Sequence, residues 1–269
     1  MSVRQCTLRT DASLVGCGLH TGEECRVTLH PAEENTGIVF ITKHGEVPAD
    51  IRYVRDTHRG TTLRDGDVEV HTVEHLLAAM SGMGIDNVRA EVEGPEIPVG
   101  DGSSLPFVEL VESVGVEEQD APARVFYVPN PVWVSDGAKY LLALPFDGMK
   151  ITELIGFPHP MIGEQAISLL VSPDTFKREI APARTFCTSS EIEMILSQGL
   201  GKGGTEENVV IVHDDHYSVP LRSKDEFVRH KVLDLIGDLL LIGGRLQADI
   251  TGIKTSHALN TALVKKIVG

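Results

Sequence analysis

Residues 223–244, SKDEFVRHKVLDLIGDLLLIGG, decide how the rest of the chain is read. Ser223 with Glu226 three residues on matches a capping-box start, and Gly243-Gly244 supplies a stop, so about five turns of helix are predicted between them. Val228, Val232, Leu235, Ile236, Leu239 and Leu240 recur at helical spacing and make this a core helix. His230, Asp234 and Asp238 fall at i, i+4 and i+8, which stacks an imidazole and two carboxylates on one face of it. Such groups are costly to bury without partners. Three readings of the stripe follow: a solvated face, a buried hydrogen-bond network, or half of a metal site, because a His and an Asp one turn apart can aim a ring nitrogen and a carboxylate oxygen at one point.

The third reading needs a ligand from elsewhere, and an internal comparison supplies one. Shifting the first half by 155 places His75 on His230 and Gly82 on Gly237; shifting by 154 places Leu105 on Leu259, Val114 on Val268 and Gly115 on Gly269. Two copies of one β-sheet-plus-two-helices unit follow, residues 1–120 and 121–269. The expected fold class is α+β, with the two helical layers packed against each other between the two sheets. His75 then meets the His230 stripe at the shared interface. With His75, His230 and Asp234 as ligands, a zinc ion keeps an open fourth position, the pattern of a catalytic rather than a structural site. Glu74 stands where a general base can take a proton from water, and His257, with Asp238 to orient its ring, can protonate a leaving group. Thr185 is a hydroxyl candidate for stabilising an oxyanion, and Lys231 adjoins a ligand.

Working outward, strands are expected at 26–29, 38–41, 87–92, 126–133, 139–144 and 165–171, with a hairpin turn at Asp65-Gly66. Shorter helices are expected from Thr72 to Gly82 or Gly84, Leu105 to Val114, Ser190 to Gln198 and His257 to Ile267. Glu117 to Ala123, acidic and containing Pro122, reads as a linker. The 269 residues, 42% hydrophobic and 23% charged, describe an ordinary globular chain, and a formal net charge of -15 with no basic run argues against nucleic acid as a partner. The opening MSVRQCTLRTDASLV lacks the features of a leader, and no window is apolar for long enough to span a bilayer, so a cytoplasmic location is expected. Cys6, Cys17, Cys25 and Cys187 form no CxxC pair and read as reduced thiols.

Beyond single residues, the segments GCGLHTG (16–22), TVEHLLAAMSGMGIDN (72–87), EIPVGDGSSLPFV (96–108), ARTF (183–186), GLGKGG (199–204), DEFVRHKVLDLIGDLLLIGG (225–244) and HALN (257–260) occur in this order. Together they closely resemble the zinc-dependent UDP-3-O-acyl-N-acetylglucosamine deacetylases of lipid A biosynthesis, over nearly the whole chain. The resemblance implies zinc on His75, His230 and Asp234, Glu74 as base, and His257 as acid with Asp238 as its partner. It further implies Thr185 and Lys231 at the reacting carbonyl, Phe186 beside them, Lys254 on the nucleotide diphosphate, and Ile192, Leu200 and Val209 along an acyl-chain passage. The substrate it implies is an acylated UDP-sugar; oligomeric state is left open, with a monomer plausible, and iron(II) is an alternative to zinc for a His2Asp donor set. The chain departs from the family pattern at Ile253, Ser256 and Thr188, positions that bear on nucleotide and acyl recognition rather than on the metal. Deacetylation of another N-acetylated sugar nucleotide, or an inactive sugar-nucleotide-binding homologue, are the alternatives.

Overall fold

The computed structural model describes residues 3–269; Met1 and Ser2, which open the segment read as lacking a leader, lie outside the described residues. The first half builds a five-stranded sheet in the spatial order Ala12–Cys17, Glu24–Pro31, Val88–Glu93, Ile38–Thr42, Gly45–Pro48. The second builds one in the order Val132–Asp136, Lys139–Leu144, Arg245–Ile253, Met149–Gly156, Glu164–Leu170, with Val125–Tyr127 also paired to Arg245–Ile253. In both, the central strand pairs antiparallel with the strand before it in that order and parallel with the strand after it. The strands alternate as half-buried strands should: Cys25, Val27 and Leu29 point inward while Arg26 is exposed.

Among the described residues, six α-helices complete the α+β fold: α1 (Glu74–Gly82), α2 (Leu105–Val114), the single turn α3 (Pro173–Thr175), α4 (Ile192–Ser197), α5 (Glu226–Leu240) and α6 (His257–Val268). Helices α1 and α5 pack directly against each other, and α2 and α6 flank them. Leu29, Phe40 and Ala90 of the first sheet, Leu76 and Met80 of α1, Leu235 and Leu239 of α5, and Leu141 and Ile250 of the second sheet share one continuous apolar core. Helix α1 is buried on nearly every side, and between His75 and Ser81 its sequence is accordingly apolar without interruption.

The structure corrects several local expectations. Glu117–Ala123 is no linker: Val116–Pro122 is a strand paired antiparallel with Arg4–Leu8, a partner more than a hundred residues away that no local pattern reveals. The expected strand 126–133 is two strands, interrupted where Pro129 and Pro131 offer no N–H to a ladder. The capping box on the long helix does not form. Helix α5 starts at Glu226 with Asp225 at its N-cap and no side-chain cap bond. Glu226 instead accepts from Arg184 Nε at 2.8 Å and from the Arg222 amide at 2.6 Å, charge-assisted bonds stronger than the cap it was expected to make. Thr72 likewise does not cap α1; its hydroxyl donates to Glu96 at 2.7 Å. The helix expected from Ser190 is preceded by a 3-10 turn, Ser189–Glu191, which Thr188 and Glu191 cap reciprocally.

Candidate metal centre and active site

The polar stripe on α5 is buried: His230 is 4%, Asp234 3% and Asp238 0% exposed, which eliminates the solvated-face reading. His75, on the first turn of α1, comes to the same place because α1 lies across α5. Ligand atoms of His75, His230 and Asp234 all lie within 4.8 Å of one another, a spacing at which one ion can touch all three. His75 Nε2 is 3.8 Å and His230 Nε2 3.4 Å from the same oxygen, Asp234 Oδ1. The other oxygen, Oδ2, accepts from Lys231 Nζ at 2.7 Å, so the carboxylate divides its two oxygens between the cluster and the lysine.

The donor set fits a divalent cation on chemical grounds. His230 Nδ1 lies 3.1 Å from the Ala183 carbonyl; donation of its N–H there leaves the Nε2 lone pair facing the cluster. Burial, aided by the neighbouring His230, lowers His75 to about 3, and burial lowers His230 as well, so both rings are neutral and able to ligate at neutral pH. Burial works against the charge on Asp234, but Lys231 and the surrounding histidines outweigh it and hold the carboxyl well below the usual range.

Two further groups face the cluster. Burial pushes Glu74 up to about 7, while its Oε2 accepts from the Thr61 amide at 2.9 Å. His257, the first residue of α6, donates from Nδ1 to Asp238 Oδ2 at 2.8 Å. Its Nε2 faces inward, 3.9 Å from Glu74 Oε1 and 3.9 Å from Asp234 Oδ2. Burial opposes the imidazolium, yet the charge and hydrogen bond of Asp238 raise His257 to about 9. Glu74 and His257 therefore stand side by side next to three atoms spaced to hold a cation, with opposite proton-transfer capacities.

A cavity of about 510 Å³ opens onto this centre. Thr185, Phe186, Ile192, Val209, His230, Lys231, Asp234 and His257 line it, so most of the sequence-derived candidates converge there. Glu74, His75 and Asp238 lie behind that lining rather than in it, and Leu200 and Lys254 are outside it too; Lys254 is exposed, with its side chain beside Gly156. Thr185 is held on a short connection by its amide to Gly102 and its carbonyl to the Val210 amide. A second cleft, of about 560 Å³, lies at the C-terminal ends of α1 and α5 and contains none of these residues.

Residues 5–269 match the LpxC family model, described as UDP-3-O-acyl N-acetylglycosamine deacetylase. The chain belongs to that family. It is 44% identical to the UDP-3-O-acyl-N-acetylglucosamine deacetylase of Pseudomonas entomophila (strain L48), over 99% of this chain and 90% of that protein. The deacetylase of Myxococcus xanthus (strain DK1622) is also 44% identical, over 99% of this chain and 87% of that protein, and that of Legionella pneumophila (strain Corby) 42%, over 99% and 90%. Among the described residues of this LpxC family member, no helix is long and apolar enough to cross a membrane.

Several residues at the site carried no signal in the sequence. Thr61 touches both Glu74 and Asp238. Phe157 lines the cavity and meets Phe186 edge to face at 5.6 Å. Arg59 pairs with Glu191 at 3.1 Å, both in the cavity wall. Glu153, wholly buried, accepts from the amide and hydroxyl of Thr255 and so holds the turn that leads into His257. Each of these acts through a contact distant in the chain, which local pattern does not show.

Proposed function

We propose that this chain is a metal-dependent N-deacetylase that removes acetate from UDP-3-O-(3-hydroxyacyl)-N-acetylglucosamine, in lipid A biosynthesis in the cytoplasm. His75, His230 and Asp234 would hold the metal, read as zinc, with iron(II) the other cation suited to the same donors. The two units are residues 1–120, which bring Glu74 and His75, and 121–269, which bring the rest. Once bound, the cation would supply Lewis acidity toward the acetamide carbonyl and lower the pKa of water.

The protein's own groups then divide the proton work. Glu74 accepts a proton from the attacking water. Thr185 donates its hydroxyl to the carbonyl oxygen as negative charge develops there, and the Lys231 ammonium adds a fixed positive charge beside it. As the C–N bond breaks, His257 gives its Nε2 proton to the departing amine, and Asp238 holds the ring through Nδ1 and stabilises its cationic form. One water is consumed, and acetate and the free amine are the products. Phe186, Ile192 and Val209 would contact the substrate within the cavity, and Leu200 and Lys254 would extend those contacts toward the acyl chain and the diphosphate.

The observation that carries this reading is the position of His257 Nε2, equally close to Glu74 and to Asp234, which brings base and acid to one face of the three-donor cluster. The test is release of free amine from 3-O-acylated and unacylated UDP-N-acetylglucosamine, before and after chelation and after zinc is restored. Turnover of the acylated substrate that is lost on chelation and returns with metal is expected, and Glu74→Gln should lower kcat by about 10²-fold or more. Full activity in the chelated protein, or in Glu74→Gln, would overturn the assignment. Preference for the unacylated compound would move the reading to another sugar nucleotide.

A further inference from the structure

We propose that Thr61 is a positioning residue for the reaction, which locks the carboxylate behind the acid and ties it to the base; this rests on the roles given above to Glu74, Asp238 and His257. Thr61 is completely buried and belongs to the first half of the chain. Its backbone amide donates to Glu74 Oε2 at 2.9 Å. Its hydroxyl donates to Asp238 Oδ1 at 2.6 Å, a contact spanning 177 residues of sequence. The same oxygen is 3.4 Å from His257 Nδ1, but that nitrogen is already committed as a donor to Asp238 Oδ2. One residue therefore touches the proton acceptor with its backbone and the acid's partner with its side chain.

The arrangement around Asp238 shows what the hydroxyl does. Asp238 is 0% exposed, so water cannot solvate its charge. Oδ2 accepts from His257 Nδ1 at 2.8 Å and from Asn260 Nδ2 at 2.9 Å, both on α6. Oδ1 accepts from Thr61. Among the described residues, that hydroxyl is the donor that holds the second oxygen and stops the carboxylate turning about its own bond. Because α6 holds one oxygen and Thr61 the other, the carboxylate plane, and with it the direction of His257 Nε2, is fixed relative to Glu74. Removing the hydroxyl leaves a buried carboxylate oxygen unsatisfied and free to rotate toward α6.

The experiment compares metal-loaded wild type, Thr61→Val, Thr61→Ser, Asp238→Ala and the Thr61→Val/Asp238→Ala double variant, with kcat, KM and metal content measured for each on the 3-O-acylated substrate. Valine keeps the shape of threonine and loses only the hydroxyl. Thr61→Val should lower kcat per bound metal by about 10-fold or more with KM within about twofold of wild type, and Thr61→Ser should recover most of the rate. In the Asp238→Ala background the valine should add no further loss, since the group it acts through is gone. Loss of stability or metal with kcat per metal unchanged, or an equal loss in both backgrounds, would overturn the proposal. If Asp238→Ala itself retains full kcat, the acid assignment fails and Thr61 with it; if Asp238→Ala is impaired while Thr61→Val is not, the failure is confined to Thr61.

Discussion

Replacing Gly237 by alanine sets two effects of opposite sign against each other. Gly237 lies on α5 where α1 crosses it, and a Cβ at this position would stand 2.1 Å from the Glu74 carbonyl oxygen and 3.0 Å from its Cα. Ordinary contact begins near 3.4 Å, so α1 must retreat by about 1 Å. The obstacle is backbone, which cannot swing away as a side chain does, so the overpacking cost belongs near the top of its usual range, about 3 kcal/mol. Against it, glycine to alanine inside a helix gains about 1 kcal/mol of propensity. The expected outcome is a net loss of about 2 kcal/mol in urea unfolding. The site should suffer more than the fold, because His75 sits on α1 while His230 and Asp234 sit on α5. Metal geometry tolerates only about 0.2 Å, so resistance to a chelator should drop by about tenfold or more. A Gly237→Ala protein as stable as wild type or more so, with unchanged chelator resistance, would refute the close crossing and the argument built on it.

Glu226→Ala should cost about 3–5 kcal/mol, since Arg184 is left buried without its counter-ion; a loss below about 1 kcal/mol in denaturant titration would contradict the pairing. The same change should weaken metal retention, because Arg184 follows Ala183, whose carbonyl orients His230. In metal-free protein, the His257 ring followed by NMR should titrate near 9, and in Asp238→Asn it should fall, because the largest contribution opposing burial is gone and only Asp234 and Glu74 still favour the imidazolium. The sign for stability follows: the folded value is raised, so the stabilisation from the Asp238 pair is complete below about 6.5 and is lost as pH rises through about 9. A bound cation repels the imidazolium and should move this titration downward, so a metal-insensitive value would place the ring away from the cluster.

Helix positions, the inward faces of the strands and the chemical character of the site are written in local pattern. The apolar spacing of 228–240 predicts α5, and of the three stripe residues on it His230 and Asp234 end up against His75 while Asp238 meets His257. Histidine next to glutamate at the start of α1 is likewise visible, because residue type and helical phase together say what a side chain can do. The strand 116–122 escapes such reading, since its acidic, proline-containing sequence resembles a linker and its hydrogen bonds go to residues 4–8. The same limit hides Thr61, whose hydroxyl is an ordinary threonine's until folding sets it 2.6 Å from Asp238. It also hides the fate of Glu226, which has the spacing of a cap but meets a buried guanidinium that binds it more strongly.

By itself, then, the sequence determined an α+β chain built on a core helix with a metal-competent stripe, because periodicity and side-chain chemistry are local properties. Only the tertiary structure decided that the stripe is buried, that Asp234 turns one oxygen to the histidines and the other to Lys231, and that Thr61 joins Glu74 to Asp238. Those outcomes depend on ångström-scale distances between residues far apart in the chain, which the packing of α1 against α5 sets.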